Sequence, residues 1–177
     1  MTLRVHLSER RLQRRYLKVV PQTKLQYYED HEITGRPPAP GKPFGLWYAC
    51  GTGKEWLAWL RSADPKGRLG PRGKYAYVLD VDTSRLLTID TRARFAEFNK
   101  VARKTGVDLD RAISYEPDWE AVAKVYGGVE ICPYRHEFRT KVFWYYGWDV
   151  ASGCIWDPEI IRGMEEMTYK DFARRAR

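Results

Sequence analysis

The chain has 177 residues, 44% of them apolar and 31% charged, and a formal net charge of +8. That length suits one domain, residues 1–177, able to bury its own core, and the composition excludes a disordered chain. The three cysteines, Cys50, Cys132 and Cys154, form no C-x-x-C pair, which argues against a disulfide framework or a four-cysteine zinc site and predicts reduced thiols.

The first residues turn charged after Leu7, without the apolar stretch of a signal peptide. No run of 18 apolar residues occurs, so no membrane span is expected and the expected location is the cytoplasm. The positive charge suits a polyanionic partner, nucleic acid or an acidic protein, or else simply keeps the surface soluble. Seven Trp and twelve Tyr supply aromatic surface for a core or for stacking on a flat ligand.

In chain order, Leu3, Val5 and Leu7 alternate with Arg4 and His6, which predicts a short strand. Ser8 then reads as the cap of a helix whose apolar stripe is Leu12, Tyr16, Val19 and Val20, ended by Pro21. Residues 34–43 read as a rigid loop, 44–49 as a buried strand, 54–61 as a short helix and 66–74 as a basic loop. Residues 75–81 and 86–89 read as strands around an Asp82-Thr83-Ser84 turn. Thr91 predicts a helix cap, with Phe95, Phe98 and Ala102 on one face and Gly106 closing the helix. Pro117 and Asp118 open another helix over 119–126. Strands are expected at 129–131, 140–146 and 153–156, the last stopped by Pro158. Thr168 with Asp171 predicts a capped basic C-terminal helix. Strands outnumber helices and few are separated by crossover helices, so the expected fold is α+β: a compact mixed or antiparallel β core with flanking helices.

Neither a G-x-G-x-x-G turn nor a P-loop is present. His6, His31 and His136 are scattered without metal-ligand spacing, so no metal site is expected. Three segments concentrate chemistry: His6 in the opening strand, Phe44 to Ala49, and Trp148 to Ile160. Within them stand the strings Val5-His6-Leu7-Ser8, Gly45-Leu46-Trp47-Tyr48-Ala49 and Ser152-Gly153-Cys154-Ile155-Trp156-Asp157. Together, and in this order, they resemble the ADP-ribosyltransferase fold family, in its histidine-type, polymerase-like and diphtheria-toxin-like branch. There a first strand carries a His (H-G-T), a second reads like F-G-x-G-I-Y-F-A, and a late strand reads like E-Y-I-V-Y-D. Trp47 stands where the family has Tyr. The chain is also similar to small phage-borne members of the fold.

The resemblance implies an ADP-ribosyltransferase-like fold and an enzyme that uses NAD as substrate and transfers ADP-ribose to a protein or nucleic acid, in the host cytoplasm if phage-encoded. The family's catalytic Glu falls on Ser152, so Asp149, three residues earlier, is the candidate acid. Breaking the nicotinamide–ribose bond develops positive charge on the ribose, which a fixed carboxylate stabilises in the transition state. Asp149 and His6 are thus the candidate catalytic residues. His6, Arg4, Gly45, Trp47, Tyr48 and Ser152 are the candidate NAD-binding residues: an imidazole for a ribose hydroxyl, a guanidinium for a phosphate, aromatic walls for nicotinamide. Because neighbours on a strand alternate faces, at most one of Trp47 and Tyr48 can face a pocket. The alternative reading is a non-catalytic basic protein on the same fold, binding nucleic acid or inhibiting a host protein.

Overall fold

The computed structural model describes residues 2–8, 11–22, 41–52, 54, 55, 58, 75–101 and 117–175. Seven strands are found among them: β1 (Val5–Ser8), β2 (Leu46–Ala49), β3 (Tyr75–Val81), β4 (Leu86–Thr88), β5 (Gly128–Ile131), β6 (Ser152–Ile155) and β7 (Ile161–Thr168). They form one sheet in the order β4-β5-β6-β2-β1-β3-β7. Only β4 and β5 run parallel; every other neighbouring pair is antiparallel. With helices α1 (Arg92–Val101), α2 (Trp119–Ala123), α3 (Phe143–Tyr146) and α4 (Tyr169–Arg175), this is a mixed-sheet α+β fold, as the pattern of elements predicts.

The helix starts follow their caps. Thr91 accepts from the Arg94 N–H at 3.1 Å, and the Asp118 carboxylate accepts from Ala121 N–H at 3.1 Å. The Thr168 hydroxyl donates to Asp171 and accepts from its N–H, the expected capping exchange. Phe95 and Phe98 of α1 pack on Trp144, and Phe98 on Trp119, in stacked, edge-to-face and tilted pairs that build an aromatic core.

Three expectations change. The helix over 8–20 is not seen among the described residues 11–20, which hold a single 3-10 turn (Arg14–Tyr16) between extended Gln13 and Leu17. Tertiary bonds win here. Leu12 N–H donates to the Tyr77 hydroxyl at 2.8 Å, Val20 N–H to the Trp156 carbonyl at 2.7 Å, and the Arg14 guanidinium to the carbonyls of Ile161 and Arg162. Tyr16 and Val19 of the supposed apolar stripe face solvent. The expected strand 140–146 is instead the short helix α3, because Trp144 and Tyr145 bury one face of a turn against Phe95. Finally, β7 is an unforeseen edge strand, eight residues long and interrupted by charge. The predicted loops at 34–40 and 66–74, most of the helix 54–61, and Ala102, Gly106 and His31 lie outside the described residues.

Candidate functional site

The three segments singled out in the sequence lie on β1, β2 and β6, which are contiguous in the sheet although more than a hundred residues separate the first from the last. Registers β2–β6 (Tyr48 opposite Gly153) and β5–β6 (Glu130 opposite Gly153) put Glu130, Gly153 and Tyr48 in one row. Val5 pairs with Ala49, so His6 and Arg4 share Tyr48's face of the sheet, while Trp47 and its partner Cys154 point to the other.

On the first face an acid was missed by sequence reasoning. Glu130 is 3% exposed, and Arg4 grips it with two bonds, Nε to Oε2 at 2.6 Å and Nη2 to Oε1 at 3.0 Å. The Tyr48 hydroxyl donates to the same carboxylate at 2.9 Å. To reach it, the Tyr48 ring crosses directly over Gly153, where a Cβ would lie 2.2 Å from the ring carbon bearing the hydroxyl. Glycine is required there by that close approach. Burial works against the Arg4 charge, but Glu130 more than offsets this and leaves the guanidinium above its ordinary value. Burial, then Glu130, pushes the Tyr48 phenol well up. The signal for Glu130 was available: a carboxylate inside the apolar strand GVEI has to find a cation.

Two expectations are therefore corrected. The Arg4 guanidinium is committed to Glu130 rather than open to a phosphate, and Tyr48, fully buried, offers no wall for stacking. Ser152 is buried and its hydroxyl donates to the Val150 carbonyl at 2.9 Å, which is a local turn bond and not a ligand contact. Gly45, at φ +151°, lets β2 start against β6. A Cβ there would stand 2.3 Å from the Ile155 carbonyl oxygen, so strand packing alone requires glycine at this position.

His6 is half-buried, and its Nδ1 contacts the Trp47 carbonyl oxygen at 2.5 Å. A carbonyl only accepts, so Nδ1 carries the proton and Nε2 is left as an acceptor. Burial pushes the imidazole below its ordinary value, and the Trp47 carbonyl opposes this in part. His6 thus holds β2 at the point where β1 stops pairing with it.

The other face is more open. The Trp47 ring, half-buried, lies 4.8 Å from the buried Trp148 ring, and the Lys42 ammonium stands 5.1 Å above it. Asp149 follows Trp148 and is bound by Arg139 at 2.7 Å, with side chains 28% and 38% exposed. Burial lowers the Lys42 ammonium, and the nearby Asp149 charge opposes that shift. Arg139 also stacks over Tyr146 at 5.5 Å. Lys42 is a further member of the site that the sequence did not single out, beside Trp148 of the third segment and Arg139. The sheet therefore divides the expected trio: Trp47 and Asp149 lie on one side, His6 with Tyr48 on the other, and the two sides touch through the His6–Trp47 bond.

A separate cavity of about 530 Å³ opens between β4, α1 and α2, lined by Leu86, Phe98, Val122 and Tyr126 among others, and none of the candidate residues borders it. No group of three or more metal-ligating side chains occurs among the described residues, nor does a helix long and apolar enough to cross a membrane. Comparison with known protein families, with curated proteins and with solved structures found no match for the chain.

Proposed function

We propose that the protein is an NAD-dependent ADP-ribosyltransferase that modifies a macromolecule, protein or nucleic acid. The observation that carries this reading is the contiguity of β1, β2 and β6: three motif segments remote in sequence meet side by side. The chemistry belongs to the Trp47 side. Trp47 supplies a flat apolar face for nicotinamide, with Lys42 and Arg139 as cations for the pyrophosphate. Asp149 has exposure enough to approach a ribose, and it stabilises the oxocarbenium-like charge as the nicotinamide leaves. His6 acts through Trp47 by fixing its carbonyl, as a positioning residue. The acceptor attacks the ribose carbon, nicotinamide departs, and the acceptor's proton passes to solvent or to Asp149.

The test is incubation of the purified protein with NAD and a cell lysate, followed by mass spectrometry of the protein and nucleic-acid fractions. The expected result is an added ADP-ribose on an acceptor with release of nicotinamide, and loss of both in Asp149→Asn while the fold is kept. NAD left intact with every fraction overturns the reading.

A second reading is favoured by one feature, the serine at the position where the resemblance puts the catalytic Glu, together with the closure of Arg4 and Tyr48 on Glu130. It is a non-catalytic basic protein that binds nucleic acid or inhibits a host protein. Binding that needs no NAD, survives Asp149→Asn and falls steeply with salt supports it over the enzyme.

A further inference from the structure

We propose that Cys50 and Cys132 form a redox-active thiol pair, which oxidises to a disulfide tying the end of β2 to the end of β5. In sheet order β6 separates these strands, but beyond Ser152 their ends converge. The Cys50 Sγ lies 3.6 Å from the Ile131 carbonyl oxygen, and a Cβ placed on Gly51 would stand 3.6 Å from the Cys132 Sγ. These two distances set the Cys50 and Cys132 side chains next to each other where the strands end. The neighbouring Cys50 thiol holds the Cys132 thiol below its ordinary value, while burial pushes Cys50 up.

Their exposures divide the labour. Cys132 is half-buried and reachable, whereas Cys50 is buried. A reachable thiol of lowered pKa with a second thiol beside it is the arrangement of an attacking and a resolving cysteine. Cys154 cannot substitute, because it is fully buried on the opposite face of the sheet with its thiol toward the Pro43 carbonyl.

The oxidant is a low-molecular-weight disulfide such as oxidised glutathione. The Cys132 thiolate attacks one of its sulfurs, breaking that S–S bond and expelling one glutathione thiolate. Cys50 then loses its proton to solvent and its sulfur displaces the second glutathione from Cys132. One S–S bond is broken and one formed, and the two electrons and two protons given up by the cysteines leave glutathione as two thiols. The pair lies two residues beyond Tyr48 and Glu130, so oxidation would pin the very strands that the Arg4–Glu130–Tyr48 network joins.

The experiment treats the full reduced chain with oxidised glutathione, blocks remaining thiols with an alkylating reagent, and maps the products by intact mass and peptide mass spectrometry. The expected product has lost two alkylatable thiols, contains a Cys50–Cys132 linked peptide, and keeps Cys154 reduced. Cys50→Ser and Cys50→Ala should each stop at a stable glutathione adduct on Cys132, and Cys132→Ser should lose the reaction. Full alkylation of all three thiols, a stable Cys132–glutathione adduct in the native chain, or a cross-link through Cys154 would each overturn the proposal.

Discussion

Two arginine–carboxylate pairs flank the middle of the sheet, and they differ in almost everything but chemistry. Arg4 and Glu130 have side chains 12% and 4% exposed, close two parallel bonds, and take a third from Tyr48. Arg139 and Asp149 are 38% and 28% exposed and share a single described bond of 2.7 Å. A buried ion taken from water needs its partner, because no solvent is there to stabilise its charge; a half-exposed one has water as an alternative. The first pair is therefore structural and the second is free to change partner, which is what a binding group must do.

The largest expected effect breaks the buried pair. Arg4→Met leaves the Glu130 carboxylate unpaired in the core and should cost about 3–5 kcal/mol, read by urea denaturation. The double change of Arg4 and Glu130 to Met should cost less than Arg4→Met alone, since no charge is then left stranded. A double variant less stable than the single one would show that the pair itself, rather than the orphaned charge, holds the strands.

Gly153→Ala attacks the same network from beneath. The added methyl would meet the Tyr48 ring at 2.2 Å and its hydroxyl at 2.3 Å, so the ring must leave Glu130. Overpacking plus a lost bond to a charged acceptor gives about 2–4 kcal/mol. Tyr48→Phe removes only the hydroxyl and should cost less, about 1.5–3 kcal/mol. If the order of these two were reversed, the ring would have another place to go.

The network also marks the limit of what the sequence made readable. β3, β4 and β6 were visible because alternation and turn residues are local signals, and so were the caps at Thr91, Asp118 and Thr168. The segment 11–20 carried an apparent helical stripe, but its donors are satisfied by Tyr77 and Trp156, partners that no local pattern encodes. Residues 143–146 form an apolar run whose period cannot tell strand from helix; the aromatic core around Phe95 decides. At the site, the alternation of Trp47 and Tyr48 was correctly divided between two faces. The grouping of His6 with Asp149 followed motif order, and motif order carries no information about faces. Glu130 belongs to no motif; its one local sign is a charge inside the apolar strand GVEI, and its partners Arg4 and Tyr48 are remote in sequence.

His6, which joins the two sides, gives a pH-dependent effect of intermediate size. Its folded pKa is lowered by burial, so the unfolded chain binds a proton more readily. Stability should be complete above the unfolded value of about 6.5 and decline as pH falls through it toward the lower folded value. His6→Asn keeps a donor for the Trp47 carbonyl and removes the titration, so its stability should change less than the native chain's between pH 7 and pH 5. An equal decline in both proteins would assign the pH dependence elsewhere.

The smallest expected stability effect belongs to the exposed pair. Arg139→Ala or Asp149→Asn should change stability by no more than about 1 kcal/mol, and less at high salt. Arg139→Ala also removes the guanidinium stacked over Tyr146, so any excess over Asp149→Asn measures that packing rather than the charge pair. Against this small structural cost stands the proposed chemical one: Asp149→Asn should abolish ADP-ribose transfer in a protein that unfolds at nearly the native midpoint. A change that barely moves stability yet removes an activity separates a group held for chemistry from one held for architecture. Should Asp149→Asn instead unfold the protein as Arg4→Met does, the two pairs would be alike after all, and Asp149 would not be free to serve a ribose.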